Sequence, residues 1–215
     1  IAGSFTTFNG TSANRIARLN SDGTLDTSFA VGATEGVNGN VNAVALDPLS
    51  GKVVLGGTFT AHSGGASLNR IARFNTNGTP DTSFAIGTGF NSTVNAVAFD
   101  GTSNVLVGGN FTSYNGGSGV NRLVRLTDTG AVDATFITGT GPSSTVNSLA
   151  YDGANNRWLI GGAFTTYNGS ATFNRLLRLS ATGTLDTAFN PNVNSTVTSI
   201  FVQPADNAVV FGGFF

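Results

Sequence analysis

The hydrophobic positions of this chain come in short bursts rich in Val, Ile, Leu and Phe, each closed by Asn-Gly, Asp-Gly, Thr-Gly or Gly-Gly. Nowhere do they recur at i, i+3 and i+4 over a helical length, so the pattern predicts short β-strands and turns with helices nearly absent. In the segment from Val94 to Phe99, strict alternation puts Val94, Ala96 and Ala98 on one face and Val97 and Phe99 on the other. The equivalent segments set Ala43 and Ala45 against Val44 and Leu46, and Ser148 and Ala150 against Leu149 and Tyr151. A strand apolar on both faces is one covered on both faces.

These bursts repeat. Gly-Gly-x-Phe stands at Gly56–Phe59, Gly108–Phe111, Gly161–Phe164 and Gly212–Phe215, with the variant Ala2-Gly3-Ser4-Phe5, so the phenylalanines step by 54, 52, 53 and 51 residues. After each of the first four comes Asn-Arg-[Ile/Leu]-x-Arg, at Asn14, Asn69, Asn121 and Asn174, then Asp-[Thr/Ala]-x-Phe, at Asp26, Asp81, Asp133 and Asp186. The segment 41–47 returns at 94–100, 146–152 and, more loosely, 197–203. The expected architecture is all-β: a propeller-like array of four-stranded antiparallel blades, about 53 residues per repeat, in one domain over residues 1–215. The units run approximately 1–54, 55–106, 107–159 and 160–210, with 211–215 beginning a fifth. Because the Gly-Gly-x-Phe strand appears five times and the other elements four, the chain reads as a window of a longer propeller, and further repeats of a parent chain are expected partners.

The unit formed by Leu55-Gly-Gly-Thr-Phe-Thr, Asn69-Arg-Ile-Ala-Arg-Phe-Asn, Asn77-Gly-Thr-Pro-Asp-Thr-Ser-Phe and Val94-Asn-Ala-Val-Ala-Phe-Asp resembles the bacterial delta-60 repeat β-propeller family over the whole chain. The resemblance implies a propeller-like domain of large secreted or surface proteins, with no agreed biochemical function. Ser63-Gly64 departs from the Asn-Gly of the other repeats, and Thr198-Ser199-Ile200-Phe201 replaces Asn-Ala-Val-Ala, which makes the last repeat the one expected to pack least like the others.

Charge and composition narrow the chemistry. Only 10% of residues are charged, against roughly 25% in ordinary domains. A net charge of −1 gives no footprint for nucleic acid or an anionic membrane, no apolar run suggests membrane insertion, and the absence of cysteine excludes disulfides and zinc thiolates. No cofactor is expected. The single histidine, His62, stands where other repeats have Phe8, Tyr114 and Tyr167, so it reads as a ring filling a shared aromatic slot.

Eight of the ten basic residues lie in the Asn-Arg-x-x-Arg elements: Arg15, Arg18, Arg70, Arg73, Arg122, Arg125, Arg175 and Arg178. They recur with Asp26, Asp81, Asp133 and Asp186, and with Asp47, Asp100 and Asp152, so structural pairing is expected, the two arginines of a unit tying down different neighbours. An anionic-ligand ring is the other reading. Asp22 and Asp26, in Asn20-Ser21-Asp22-Gly23-Thr24-Leu25-Asp26, hint at a calcium loop, which the matching stretches at 75–81, 127–133 and 180–186 do not keep.

The function expected is a non-enzymatic structural, adhesive or protein-binding module of an extracellular or cell-surface bacterial protein. Its partner, a protein or surface glycan, would meet the variable loops at 32–40, 64–68, 116–120 and 139–145, where the repeats differ. A carbohydrate-binding or carbohydrate-active domain using Tyr114, Tyr167 and Trp158 as stacking platforms is the alternative, and a filament assembly unit a third. Against the second, Trp158 occupies the slot of Val53, Val105 and Val209, a strand position expected to be at least half-buried.

Overall fold

A computed structural model describes residues 1–29, 36–62 and 67–215. Among them every regular element is a strand, and no helix is long and apolar enough to cross a membrane. A hairpin of β1 (Thr7–Phe8) and β2 (Thr11–Ser12) comes first, followed by an antiparallel sheet of β3 (Val41–Leu46), β4 (Val53–Gly57) and β5 (Ile71–Phe74). The second sheet holds β6 (Val94–Phe99), β7 (Val105–Gly109) and, after a hairpin of β8 (Ser113–Tyr114) and β9 (Gly117–Ser118), β10 (Leu123–Leu126). The third consists of β11 (Val146–Asp152), β12 (Arg157–Gly162) and β13 (Leu176–Ser180), and the last is the pair β14 (Val197–Val202) and β15 (Val209–Gly213).

The sheets therefore have two or three strands where four were expected, and none closes on itself. The Asp-x-x-Phe element contributes only one isolated bridge per repeat: Leu19 to Leu25, Phe74 to Pro80, Leu126 to Val132 and Leu179 to Leu185. The aspartate that follows each bridge ends the pairing. In the second of these, Asp81 Oδ1 accepts the N–H of Ser83, and Phe84 N–H donates to the Asp81 carbonyl, so the chain turns away before another rung forms.

Strict alternation in the first strand of each sheet also fails. A β-bulge lies between Val41 and Ala43, Val94 and Ala96, Val146 and Ser148, and Val197 and Ser199. The extra residue shifts the face, so Val94 and Val97, three apart, both lie toward the preceding sheet, over Gly56. The following residue's polar side chain crosses to the next sheet: Asn42, Asn95 and Asn147 donate from Nδ2 to the carbonyls of Val94, Val146 and Val197 at 3.2 Å each.

The core is divided into four apolar seams between successive sheets. In one, Val54 and Ile71 of the first sheet meet Val94, Val97, Val105, Val107, Phe111 and Leu126 of the second. The Gly-Gly pairs set how closely the sheets approach. A Cβ at Gly56, Gly108 or Gly161 would lie 2.3, 2.5 or 2.7 Å from Cγ1 of Val94, Val146 or Val197 in the next sheet, while one at Gly57, Gly109 or Gly162 would strike the carbonyl of Asn40, Thr93 or Thr145. The last repeat keeps this contact despite its altered sequence, because Val197 and Ile200 occupy the positions of Val94 and Val97 and cover Gly161.

Candidate functional site

The repeat-fixed charges form the same cluster four times. Arg18, Arg73, Arg125 and Arg178 donate from Nε to Oδ2 of Asp26, Asp81, Asp133 and Asp186 at 2.8, 2.6, 2.8 and 2.9 Å. Each guanidinium also lies over the phenylalanine that closes the Asp-x-x-Phe element, 4.7, 4.8, 4.7 and 4.5 Å from the rings of Phe29, Phe84, Phe136 and Phe189. The far nitrogen, Nη1, crosses to the next repeat's turn, where Arg18 meets the Thr76 carbonyl, Arg73 the Asp128 carboxylate and Arg125 the Ala181 carbonyl. Burial acts to raise the Asp81 carboxyl, but hydrogen bonds from Ser83, Lys52 and Arg73 outweigh it and hold the group well below the ordinary carboxylate range. Asp100 joins Arg125 at 3.3 Å and Asp152 joins Arg157 at 3.1 Å, while Asp47 accepts from Leu49 N–H and Ser50 Oγ to lock a turn.

The other arginine of each unit behaves differently. Arg15, Arg70, Arg122 and Arg175 sit in left-handed backbone, with φ of 68, 69, 64 and 57°, a conformation that costs a residue with a Cβ about 1 kcal/mol. From there three of the four donate from Nη1 to carbonyls about twenty residues on, those of Val37, Phe90 and Pro142, and Arg175 donates to Ala163. The expectation that the two arginines of a unit tie down different neighbours is therefore corrected: the first bonds a carbonyl of its own unit, and only the second, in the first three units, reaches the next repeat.

The other candidates divide. Tyr114 and Tyr167 are buried, as is Trp158, so none of the three presents a stacking surface. Tyr114 donates its hydroxyl to the Gly130 carbonyl at 2.6 Å, and burial pushes its pKa far up. His62 bridges Val37 as Tyr114 bridges Phe90 and Tyr167 bridges Pro142, which places it in the shared aromatic slot. A cleft of about 280 Å³ opens beside it, between Leu68, Ala72, Pro80, Phe84 and Gly87. Asp22 Oδ1 takes the N–H and hydroxyl of Thr24, and Asp26 Oδ1 those of Ser28, which satisfies the calcium candidates within their own turns. Among the described residues no group of three or more His, Cys, Asp or Glu could hold a metal ion.

The described parts of the variable loops lie at one end of the sheets, with the hairpin tips. Asn-Gly tips at 9–10, 115–116 and 168–169 have positive φ at both positions, as tight hairpins require. Gly116–Gly119 are exposed, and the loop 139–145 lies against the next tip, Gly141 N–H donating to Asn168 Oδ1 at 2.9 Å. Of the other candidate loops, residues 32–35 and 64–66 lie outside the described residues, as does Ser63. A clip holds this rim together: Asn38 Oδ1 accepts Thr60 and Ala61 N–H, Asn91 Oδ1 accepts Thr112 and Ser113 N–H, and Ser143 Oγ accepts Thr165 and Thr166 N–H. These three residues were not singled out by sequence, although each stands three positions before the first valine of its strand.

The chain matches the family described as "Domain of unknown function (DUF5122) beta-propeller" over residues 1–29, 50–84, 104–136 and 153–189, more than half its length. It belongs to that β-propeller family. No curated protein matches it. Among solved structures it is similar to the crystal structure of the computationally designed Ika4 protein, at 19% identity and a TM-score of 0.51, covering 84% of this chain and 89% of that one.

Proposed function

We propose that this protein is a non-enzymatic β-propeller module of the delta-60 repeat kind, serving outside a bacterial cell or on its surface, and that the hairpin rim holds a protein or glycan partner. The observation that carries this reading is the division of labour between residues. Repeat-fixed charges are spent inside the protein, within a unit or on the next one, while the described residues that differ between repeats project from one end on a frame of side-chain clips. A glycan at this rim would meet chiefly Asn, Ser and Thr, because Tyr114, Tyr167 and Trp158 are in the seams.

Retention of the protein on immobilised fibronectin, mucin and chitin tests the reading. At least one support should hold the native chain and release a variant in which residues 116–120 are replaced by the equivalent Gly169-Ser170-Ala171-Thr172-Phe173 of the next repeat. Retention indifferent to every rim change, or turnover of chitin by the native chain, would overturn it.

A further inference from the structure

We propose that the hairpin rim takes an acidic polysaccharide, a polymer with a carboxylate on successive sugars, and that Arg70 and Arg122 hold those carboxylates. The inference rests on the rim being the binding face and names the chemistry that this face selects. Charge in this protein is sorted along the length of the sheets. β5 and β10 begin at Ile71 and Leu123, paired with Gly56 and Gly108 at the rim end, and Arg70 and Arg122 stand immediately before them. Every aspartate lies toward the other end, either in a turn there, as Asp47 and Asp100 do, or on the second arginine of its unit, as Asp81 and Asp133 are. Glu35, the one remaining carboxylate, lies outside the described residues. Among the described residues neither Arg70 nor Arg122 has an ion-pair partner, so a chain of net charge −1 presents unpaired positive charge at its rim.

The bond that each of these arginines makes inside the protein uses one nitrogen. Nη1 of Arg70 donates to the Phe90 carbonyl at 2.7 Å and Nη1 of Arg122 to the Pro142 carbonyl at 3.1 Å, whereas Nε and Nη2 of both have no partner among the described residues. Those two nitrogens form the side edge of the guanidinium, a fork that matches a carboxylate. The second arginines show what such an edge takes when it is closed. Nε of Arg73 meets the Asp81 carboxylate and its Nη2 the Ser83 hydroxyl, and Arg125 meets Asp133 and Thr135 in the same way. A carboxylate with a hydroxyl beside it is the arrangement that a uronate sugar carries.

The surroundings suit sugar hydroxyls. Two residues before each anchoring carbonyl stands an exposed threonine, Thr88 before Phe90 and Thr140 before Pro142. Each lies between glycines in left-handed backbone, with φ of 55 and 68° at Gly87 and Gly89 and of 60 and 72° at Gly139 and Gly141. Asn69 Nδ2 donates to the Thr88 carbonyl at 2.7 Å and Asn121 Nδ2 to the Thr140 carbonyl at 3.1 Å, which fixes both loops. An open guanidinium edge with a fixed threonine near it therefore recurs in successive units, and a polymer that is acidic on successive sugars has the matching repetition. An acidic peptide offers carboxylates without hydroxyls beside them.

The arginine Nε–H resonances of the isotope-labelled native chain test the inference on addition of trigalacturonate. Those of Arg70 and Arg122 should shift, while those of Arg73 and Arg125, whose edges are closed, should stay in place. Immobilised polygalacturonate should retain the native chain, with an affinity that falls at least about tenfold between about 20 and about 500 mM NaCl. Arg122→Lys keeps the charge and a donor for the Pro142 carbonyl but loses the fork, so with an unchanged urea midpoint it should bind at least about threefold more weakly. Resonances of Arg70 and Arg122 that do not move, retention indifferent to salt, or a folded Arg122→Lys chain that binds as tightly as the native one would each overturn the inference. An equal shift with polyglutamate would assign the rim to acidic peptides and overturn it as well. Retention on chitin without any response to trigalacturonate would remove the acidic ligand and leave binding at the rim standing, whereas loss of retention on every support would remove both.

Discussion

The charges of this protein are best understood one residue at a time, because each is committed to a particular neighbour. Asp81 accepts from Arg73, Lys52 and Ser83 with its side chain buried, so Asp81→Ala strips the buried Nε of Arg73 and the Lys52 ammonium of their carboxylate. It should cost about 2 kcal/mol in urea denaturation, because Arg73 keeps Asp128 on Nη1, against under about 0.5 for Asp206→Ala on an exposed turn. A depressed folded pKa contributes stability that is fully present above the ordinary value of 3.8 and lost as pH falls through the folded one. The native chain should therefore lose stability below about pH 4 more steeply than Asp81→Asn, read as the shift of the urea midpoint with pH. His62 is the opposite case, a residue smaller than its slot. His62→Tyr should raise stability by about 1 kcal/mol in the same measurement by filling the cleft at Pro80 and Phe84.

At the scale of the element, spacing between sheets is set by absent side chains. Gly108→Ala pushes a methyl to 2.5 Å from Val146 Cγ1 and should cost about 1–3 kcal/mol in thermal unfolding. Gly109→Ala should cost more, because the obstacle is the Thr93 carbonyl and backbone yields less than a side chain, while Gly212→Ala should be nearly neutral. The sequence made much of this legible: the period, the strand character, the aromatic slot of His62 and the partnership of Arg73 with Asp81 all rest on residue type and spacing. Three features escaped it for identifiable reasons. The bulge at Asn95 adds a residue without altering the apolar string, so simple alternation assigns Val94 and Val97 to opposite faces. Left-handed backbone at Arg70 occurs at a residue type with no preference for it, so residue type gives no sign of it. The missing fourth strand turns on the Asp81 side chain capturing its own turn, which competes with a ladder that the strand-like residues around it suggest. The rim clips at Asn38, Asn91 and Ser143 were hidden because Ser replaces Asn in the third and what they share is position.

For the whole molecule, stability is a sum over seams, each involving only adjacent sheets. Amide exchange should follow that order. The amides of β15, on a two-stranded sheet with an open edge, should exchange at least about tenfold faster than those of β7, which is bonded on both sides and covered by the seam holding Phe111. Equal protection in β7 and β15 would show a single cooperative core instead. The seam design also has a consequence at the level of the gene. Since each glycine, valine and arginine of one unit is already complementary to its counterpart in the next, a crossover between misaligned copies of the coding repeat inserts or deletes one whole sheet together with its seam. Descendants of such an event differ in length while every remaining contact is conserved in kind, so the number of units can vary among alleles without any compensating substitution.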